Sequence, residues 1–512
     1  MNEALQQTHF CWIDGLIVVL YLSLSVAAGI WANRYVKDMS DYVVAGRKVK
    51  SYLGIATMTG TEMGLITIMY SAQKGFSFGF AAFHIAVVAA IVTFLVGLSG
   101  FIVVPLRRLG VMTIPEFYGI RYGKKARILG GFVLAFAGIL NMGLFLKVGS
   151  QYVTGVTGMG PESHALIAVM VGLLVLVLLY TILGGMVSVI ITDYLQFVVL
   201  SLGLIVVVVF CLFRWPWSHM VDVVEQVRGM AGFNPFQEEG FGWEYVLWMT
   251  FIGLISCSVW QTAVLRALCA ESPKVVKKLY MWSSVGFLIR FLIPYFLGIA
   301  ALVFIYETPE LKELFLEGAE GDRVNSLMAM PVLFARILPV GLLGLVTAAM
   351  LAAFMSTHDS YLLCWSAVIT QDVVSPLLGE RLSTKSRIWL TRTCILLIGV
   401  FLVYWGLFYE GKEDVWDYMA ITGAVYTTGA FALLLGGIYC RWVNSAGALL
   451  ALLGGFFAVF GLEPLRAAVG LPAWMDGTRV GLVTVVLCLG LLFGGSLLFP
   501  IKRNGSAERG ET

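Results

Sequence analysis

The chain has 512 residues, of which 59% are apolar and 13% are charged, whereas soluble domains average roughly 45–50% apolar and about 25% charged. This composition excludes a soluble multidomain protein. The formal net charge of +3 gives no basic stripe of the kind that binds nucleic acid. The eight cysteines form no C-x-x-C pair, so neither a zinc site nor a disulfide framework is indicated.

Apolar runs follow one another along the chain, each long enough to cross a hydrocarbon core of roughly 30 Å as a helix. They predict an all-α polytopic membrane protein with about thirteen transmembrane helices. The first run follows a segment without basic residues, which favours a spanning helix over a cleaved signal peptide. The run 332–372 is long for one span and predicts a tilted helix or an extramembrane piece. The predicted helices lie near 12–32, 51–75, 80–105, 128–155, 164–184, 186–212, 244–265, 280–306, 332–372, 387–408, 416–440, 444–463 and 479–500.

Lysine and arginine are concentrated in alternate loops, and this asymmetry predicts the membrane orientation. The rich set comprises Arg34, Lys37, Arg47, Lys48, Lys50, Arg107, Arg108, Arg121, Lys124, Lys125, Arg127, Arg266, Lys274, Lys277, Lys278, Arg381, Lys385, Arg387, Arg441, Lys502, Arg503 and Arg509. The opposite set holds little beyond Arg214, Arg228, Lys312, Arg323, Lys412 and Arg466. We therefore expect a multi-pass protein of the plasma (inner) membrane, with its N-terminus outside and its C-terminus in the cytoplasm.

The predicted helix 51–75, SYLGIATMTGTEMGLITIMYSAQKG, carries threonines and Glu62 among glycines. Glycine and threonine both weaken a helix, and a mid-membrane break is tolerated only where the freed backbone lines a cavity. Transporters bind ions and solutes at such breaks near the midplane of the membrane. We interpret this helix as part of a transport site, chiefly because of Glu62. The alternative is a continuous helix whose threonine hydroxyls bond back to their own turn.

Asp193 lies inside the apolar helix 186–212. A buried carboxylate requires a cation, a proton or a basic partner. The functional interpretation is an ion site, and the alternative is a structural salt bridge. Three arginines that the same helix count places in the membrane are candidate partners, namely Arg290, Arg336 and Arg392.

Small and hydroxyl side chains share one face of the run 332–372. Ala353, Ser356 and Thr357 are spaced i, i+3 and i+4, and Ser360 extends the face by a turn. Hydroxyl and carbonyl oxygens are hard, uncharged ligands that suit a small cation. The alternative is a packing surface between membrane helices, for which small residues are also typical.

The chain is not expected to be an enzyme. A hydrolase triad read from Ser356, His358 and Asp359 fails because neighbouring residues of a helix point to different sides. His84 and His358 have no second histidine or cysteine at ligand spacing, so a transition-metal site is not expected either.

Three stretches resemble the signatures of the sodium/solute symporter family, which includes the sodium-coupled glucose, proline, pantothenate and sialic acid carriers. They are LGVMTIPEFYGIRYG (Leu109–Gly123), YTILGGMVSVIITDYLQ (Tyr180–Gln196) and LAAFMSTHDSYLL (Leu351–Leu363). The resemblance extends from about residue 12 to residue 440 and implies the leucine-transporter-like fold, in which two five-helix repeats are inverted relative to each other. It implies an added N-terminal helix and loop at 12–50, repeats at 51–212 and 244–440, two further helices at 441–500 and a cytoplasmic tail at 501–512.

The family's main sodium site implies a set of ligands in this chain. They would be the backbone oxygens of Ala56 and Thr59 together with Ala353, Ser356 and Thr357. Some members bind a second sodium ion through an acidic residue that matches Asp193, which makes Asp193 a candidate for the same role. The expected partners are therefore co-transported sodium, a small organic solute and the lipid bilayer, without nucleic acid. The sequence does not give the oligomeric state, and a monomer is the working expectation.

The residues at the positions that contact the solute in better-known members of the family are different in this chain. Met58 and Met63 match positions where sugar carriers have Asn and Gln, and Met58 also matches an aspartate of the proline carrier. The resemblance therefore disfavours a sugar. Glu62 is a candidate partner for a cationic or amine-bearing group, and Trp260 and Gln261 are candidates for the solute cavity.

Sodium-coupled symport of a small organic solute into the cell by alternating access is the function that these features favour. A proton-coupled or facilitative carrier on the same fold is one alternative, and a ligand sensor is another. Flux of a labelled solute into sealed proteoliposomes distinguishes a carrier from a sensor or an enzyme.

Overall fold

The computed structural model describes residues 2–32, 39–159, 163–238, 240–318, 323–379, 382–409, 414–472 and 474–500. The predicted tail 501–512 lies outside these described residues, as do Arg34, Lys37, Arg381 and Lys412 of the charge pattern. The described part of the chain is built from helices and contains no strand, as the all-α prediction requires.

The helices of the first half, numbered in chain order, are α1 Asn2–Gln6, α2 Trp12–Ala32, α3 Met39–Val44, α4 Ser51–Glu62, α5 Leu65–Phe78, α6 Phe83–Ser99, α7 Val103–Leu109, α8 Ile114–Tyr122, α9 Lys124–Asn141, α10 Phe145–Thr157, α11 Ser163–Arg214 and α12 Trp217–Arg228. Those of the second half are α13 Gly242–Val259, α14 Gln261–Cys269, α15 Pro273–Glu307, α16 Pro309–Lys312, α17 Ala329–Ile337, α18 Leu342–Val368, α19 Ser375–Leu377, α20 Thr384–Phe408, α21 Val415–Tyr439, α22 Ser445–Gly454, α23 Glu463–Val469 and α24 Gly477–Leu498.

Polar side chains fix where several helices begin. The hydroxyl of Thr113 accepts a hydrogen bond from the N–H of Glu116 at the start of α8, and Ser272 caps α15 in the same way. Asp476 caps α24, its carboxylate accepting from the N–H of Arg479 at 2.9 Å. Each such cap satisfies a backbone donor that the helix itself leaves unpaired, which matters most where lipid offers no alternative.

The number of membrane-length helices differs from the thirteen predicted runs. Within the described residues, ten helices are long and apolar enough to cross a membrane, or eleven if the pair Ser445–Gly461 and Glu463–Val469, bent by 97°, is one span. The difference arises because several runs are broken or joined. The runs 164–184 and 186–212 are two helical segments of α11 that meet at Gly185, whose backbone is not helical (φ 55°, ψ −152°), and only the second segment is of membrane length.

The run 332–372 is interrupted, which accounts for its length. Helix α17 ends at Ile337 and α18 begins at Leu342. The carboxylate of Asp14, on the N-terminal helix α2, accepts from the N–H groups of Gly341 and Gly344, both at 2.7 Å. This added helix therefore caps the start of the helix that carries Ser356 and Thr357.

Helices α5 and α15 approach each other backbone to backbone through two glycines. A Cβ added to Gly298 would lie 2.0 Å from the carbonyl oxygen of Ala72, and one added to Gly75 would lie 2.2 Å from that of Tyr295. Neither obstacle is a flexible side chain, so the two helices would have to separate. The contact holds α5, the second half of the predicted helix 51–75, against the bundle.

We expect Gly298→Ala to lower the stability of the protein by about 1–3 kcal/mol, the range typical of overpacking in a well-packed interior. Thermal unfolding in detergent, followed by size-exclusion chromatography, measures the loss. The matched control is Gly490→Ala on α24, where an added Cβ meets nothing within 4 Å. Equal melting temperatures for the two variants would contradict the close packing of α5 on α15.

Candidate functional site

The helix 51–75 is broken near its middle. Helix α4 ends at Glu62, and the N–H of Met63 bonds to the carbonyls of Thr59 (2.9 Å) and Gly60 (3.2 Å). Gly64 is extended (φ −72°, ψ 163°), and α5 begins at Leu65. The break predicted from the glycines and threonines is therefore present. It leaves the carbonyls of Thr61 and Glu62 to accept from side chains of other helices, Thr357 and Arg290 respectively.

Helix α18 packs directly on this break. The Thr357 hydroxyl lies 3.1 Å from the carbonyl oxygens of both Thr61 and Ala353 and can donate to either. A Cβ on Gly64 would lie 2.0 Å from the Thr357 Oγ1, so only glycine fits there. The structure thus brings Ala353 and Thr357 together with the end of α4, and it adds the carbonyl of Thr61, which the sequence did not single out.

The other three residues of the predicted ligand set occupy different surroundings. The Ser356 hydroxyl donates to Asp193 Oδ1 at 2.5 Å. The carbonyl of Thr59 lies in the last turn of α4, while its side chain faces α15, since a Cβ on Gly286 would lie 2.6 Å from Thr59 Oγ1. Ala56 is buried one turn earlier, within the continuous part of α4.

Asp193 is fully buried and surrounded by donors. Its Oδ2 accepts from the hydroxyls of Thr57 and Thr61, the latter at 3.0 Å. Its basic partner is Arg266 on α14, whose Nη2 lies 3.5 Å from Oδ2. Counting Arg266 among the cytoplasmic loop residues was therefore wrong, because its side chain is 1% exposed.

The three arginines proposed as partners of Asp193 bind elsewhere, which corrects that expectation. Arg290 pairs with Glu62 at 3.0 Å, Arg392 donates to the carbonyl of Ile182 at 2.8 Å, and Arg336 donates to the carbonyl of Ala4. The physical reason is a second helix break. Helix α13 ends at Val259 and α14 begins at Gln261, which turns the last part of the run 244–265 into the bundle.

A cavity of about 160 Å³ lies beside the first break. Its walls include Thr61, Glu62 and Thr357, which border the ion candidates, and the aromatic residues Tyr70, Phe145, Trp260, Phe287, Phe291, Tyr361 and Trp416. The indole N–H of Trp260 donates to the hydroxyl of Tyr361 at 3.0 Å. Of the predicted solute residues, Glu62 and Trp260 therefore line the cavity.

Met58, Met63 and Gln261 are not among the described residues that line this cavity. Gln261 points away from it, because its Oε1 accepts from the backbone N–H of Ile114 at 3.0 Å. Met58 and Met63 are buried in the packing around α4. Their proposed contact with the solute has no counterpart in the geometry of the cavity.

Glu62 and Arg290 form an ion pair on the cavity wall. Arg290 Nη1 donates to the Glu62 carboxylate at 3.0 Å and to its carbonyl at 2.9 Å, and the Thr262 hydroxyl donates to Glu62 Oε1 at 3.2 Å. The guanidinium carbon lies 4.3 Å from the ring centroid of Phe287. The sequence spacing does not relate Arg290 to Glu62, so the sequence indicates Arg290 only as a candidate partner for Asp193.

A second ion pair links α5 to the start of α21. Lys74 Nζ lies 2.6 Å from Asp414 and 3.5 Å from Asp417, and the Lys74 side chain is 4% exposed. Between this pair and the cavity, Tyr70 and Trp416 have ring centroids 4.8 Å apart. The pair therefore joins two helices that both contribute to the cavity wall.

Broken helices that meet across a cavity at oxygen-rich ends define a membrane carrier. The sodium:solute symporter family model matches residues 42–455, and the chain belongs to that family. It is a sodium-coupled symporter of a small organic solute, an integral membrane protein and not an enzyme.

The relatives carry different solutes. The chain is 24% identical to the sodium/sialic acid symporter NanT of Aliivibrio fischeri, over 98% of this chain and 95% of that protein. It is 24% identical to the sodium/glucose cotransporter of Vibrio parahaemolyticus, over 88% and 85%. It is 22% identical to sodium/proline symporter 2 of Staphylococcus saprophyticus, over 88% and 86%.

The fold is also that of solved carriers. A Na⁺-coupled sialic acid symporter in a substrate-bound outward-open state superimposes with a TM-score of 0.77 at 18% identity, over 95% of this chain and 98% of that one. The nucleobase-cation-symport-1 family transporter Mhp1 gives a TM-score of 0.51 at 13% identity, over 90% and 95%. The leucine-transporter-like fold expected from the sequence is therefore confirmed.

Proposed function

We propose that the chain holds sodium on neutral oxygens at the contact between the broken end of α4 and α18. The ligands would be the carbonyls of Ala56, Thr59 and Ala353 with the hydroxyls of Ser356 and Thr357, and the carbonyl of Thr61 is a further donor. The observation that carries this proposal is the position of the Thr357 hydroxyl, 3.1 Å from both the Thr61 and the Ala353 carbonyls. Such hard oxygen donors suit a small cation.

Sodium and solute would share a wall, which accounts for their coupling. Thr61 and Thr357 border the cavity and also belong to the proposed ion site. An ion that holds these two residues in place therefore favours the conformation that the solute binds, and each ligand raises the affinity for the other. One charge that crosses 100 mV releases about 2.3 kcal/mol, and a tenfold sodium gradient adds about 1.4 kcal/mol. Together they would sustain a roughly several-hundred-fold gradient of a neutral solute per sodium ion.

Loss of one ligand should weaken sodium activation without changing the solute. We expect Thr357→Ala to raise the sodium concentration for half-maximal uptake roughly tenfold, the equivalent of about 1.4 kcal/mol for one lost oxygen. Thr357→Ser keeps the oxygen and should resemble the unmodified protein. The measurement is uptake of a labelled solute into proteoliposomes at varied sodium, after a solute panel has identified the cargo.

Two outcomes would contradict the proposal. Sodium-driven uptake that is indifferent to both Ser356→Ala and Thr357→Ala would remove the ion from this site. Uptake that needs no sodium would favour the proton-coupled or facilitative alternative on the same fold.

The cavity favours a small solute with a charged group. Its volume of about 160 Å³ is close to that of an engineered cavity of roughly 150 Å³ that accepts benzene. The Glu62–Arg290 pair offers a carboxylate and a guanidinium to such a solute, and the aromatic walls cover its apolar part. A carboxylate-bearing or zwitterionic solute meets these features better than a sugar.

The repeat boundaries and the orientation belong to the same proposal. The two inverted repeats would be 51–212 and 244–440, with additions at 12–50 and 441–500 and a cytoplasmic tail at 501–512. With the N-terminus outside the cell, α4 and α14 would lie on the cytoplasmic side of the cavity and α5 and α13 on the outer side.

A further inference from the structure

A buried cluster next to the proposed sodium site contains a fixed positive charge. Four helices contribute to it: α11 provides Asp193, α14 provides Arg266, α4 provides Thr57 and Thr61, and α18 provides Ser356 and Ser360. The side chains of Asp193 and Arg266 are 0% and 1% exposed. Removing such a charge pair from water costs free energy, which the attraction between the charges offsets only where the geometry is good and further hydrogen bonds satisfy both groups.

One nitrogen of Arg266 occupies the centre of the oxygen donors. Its Nη2 donates to Thr61 Oγ1 at 2.7 Å and to the hydroxyl of Ser360, and it lies 3.5 Å from Asp193 Oδ2. These oxygens come from three different helices. A carboxylate with several hydroxyls is the kind of donor set that binds a hard cation, and here the cation is part of the chain.

The anchoring of Arg266 keeps this charge in place. Its other terminal nitrogen, Nη1, donates to the carbonyl of Thr262 at 3.2 Å, one turn earlier in α14. A guanidinium stays protonated at every physiological pH, so the pair does not depend on proton uptake. While Nη2 lies among Thr61, Ser360 and Asp193, a sodium ion cannot use the same oxygens.

We propose that Arg266 is a tethered cation that fills the site at Asp193, so that the carrier moves a single sodium ion with each solute. The candidate role of Asp193 as a ligand for a second sodium ion is then taken over by the side chain of α14. The inference rests on the proposed sodium site at Thr357, and it concerns the number of ions rather than their presence.

Asp193 keeps an indirect part in sodium binding. Its Oδ1 accepts the Ser356 hydroxyl proton at 2.5 Å, which leaves the lone pairs of Ser356 Oγ to serve a cation. Arg266, by balancing the charge of Asp193, keeps the carboxylate in this position. Asp193 is therefore a positioning residue for the first ion and not a ligand of a second.

The experiment counts sodium ions in the intact carrier. Binding of radioactive sodium to the purified protein, without solute, is compared between the unmodified chain, Arg266→Ala and the double variant Asp193→Asn, Arg266→Ala. We expect one bound sodium ion per protein molecule at saturation in the unmodified chain and two in Arg266→Ala. The double variant should return to a single site, because the carboxylate that would hold the second ion is gone.

Two controls keep the result interpretable. Arg266→Lys retains the tethered charge and should bind a single sodium ion, and Arg392→Ala removes a membrane-embedded arginine from a different place and should not change the count. If Arg266→Ala does not fold, the unmodified chain and Arg266→Lys still decide, since two bound sodium ions in either would overturn the inference. A count of one in Arg266→Ala, with the protein folded, would overturn it as well.

Failure of the inference differs from failure of the proposed sodium site. Two sodium ions in the unmodified chain, one of them lost in Thr357→Ala, would leave the proposed function intact and remove the tethered cation. No bound sodium at all, with uptake that continues in its absence, would contradict the proposed function itself.

Discussion

Gly64→Ala is expected to abolish sodium-driven uptake at ordinary sodium concentrations. The added Cβ would lie 2.0 Å from Thr357 Oγ1 and 2.9 Å from Thr357 Cβ. Both distances are too short for a methyl group, so helix α18 and the end of α4 must move apart. A displacement of about 1 Å in a positioned site costs roughly 100-fold in function, and we expect a sodium requirement raised by at least that factor.

The cause can be tested by removing the obstacle. Combining Gly64→Ala with Thr357→Gly takes away the atoms that the methyl group meets. The double variant should then lose only the Thr357 ligand and recover to within about tenfold of the unmodified sodium requirement. Gly172→Ala on α11, where an added Cβ meets nothing within 4 Å, is the matched control. Normal sodium activation in Gly64→Ala would contradict the contact between the break and α18.

The break in the helix 51–75 could be predicted because its cause is local. Gly60 and Gly64 lower the helix propensity of a segment that also contains four threonines and Glu62. The relation of Ala353 to Ser356 and Thr357, at i+3 and i+4, follows from helix periodicity in the same way. Both features depend on neighbouring residues in the chain, so the sequence alone contains the information.

The partner of Asp193 could not be predicted, because it depends on a distant part of the chain. Arg266 follows an apolar run in a place where a basic residue ordinarily marks a cytoplasmic loop. The break at Trp260 redirects that segment, and Arg266 then reaches an acid 73 positions away in sequence. Lys74 and Arg290 illustrate the same limit, since their acidic partners lie on other helices.

The solute residues show a further limit, which is the direction of a side chain. Helix periodicity and the break place Met58, Met63 and Gln261 close to the cavity, but not facing it. The side chain of Gln261 accepts a hydrogen bond from the backbone N–H of Ile114. The two residues are 147 positions apart in sequence, so no local sequence pattern could predict this contact. Glu62 is the last residue of α4 and Trp260 stands between α13 and α14, and both side chains line the cavity.

Arg290→Met is expected to reduce both stability and transport, whereas the double variant Glu62→Gln, Arg290→Met should recover stability alone. Arg290 and Glu62 are 9% and 13% exposed, so removing one leaves the other buried without its counter-charge. Breaking a buried pair from one side costs about 3–5 kcal/mol, while replacing both members is often neutral. Thermal unfolding in detergent should show a large loss for the single variant and a small one for the double.

Transport separates recognition of the solute from support of the fold. If the pair recognises a carboxylate-bearing or zwitterionic solute, the double variant remains folded and yet binds that solute at least tenfold more weakly, since a hydrogen bond to a charged group contributes about 1.5–3 kcal/mol. Arg479→Met is the control, because the Arg479–Glu244 pair is 37% and 31% exposed and such surface pairs contribute less than about 1 kcal/mol. A stable double variant with unchanged solute affinity would show that Glu62 and Arg290 hold α4 and α15 together without touching the solute. The aromatic walls would then carry recognition, and an uncharged solute would become the better candidate.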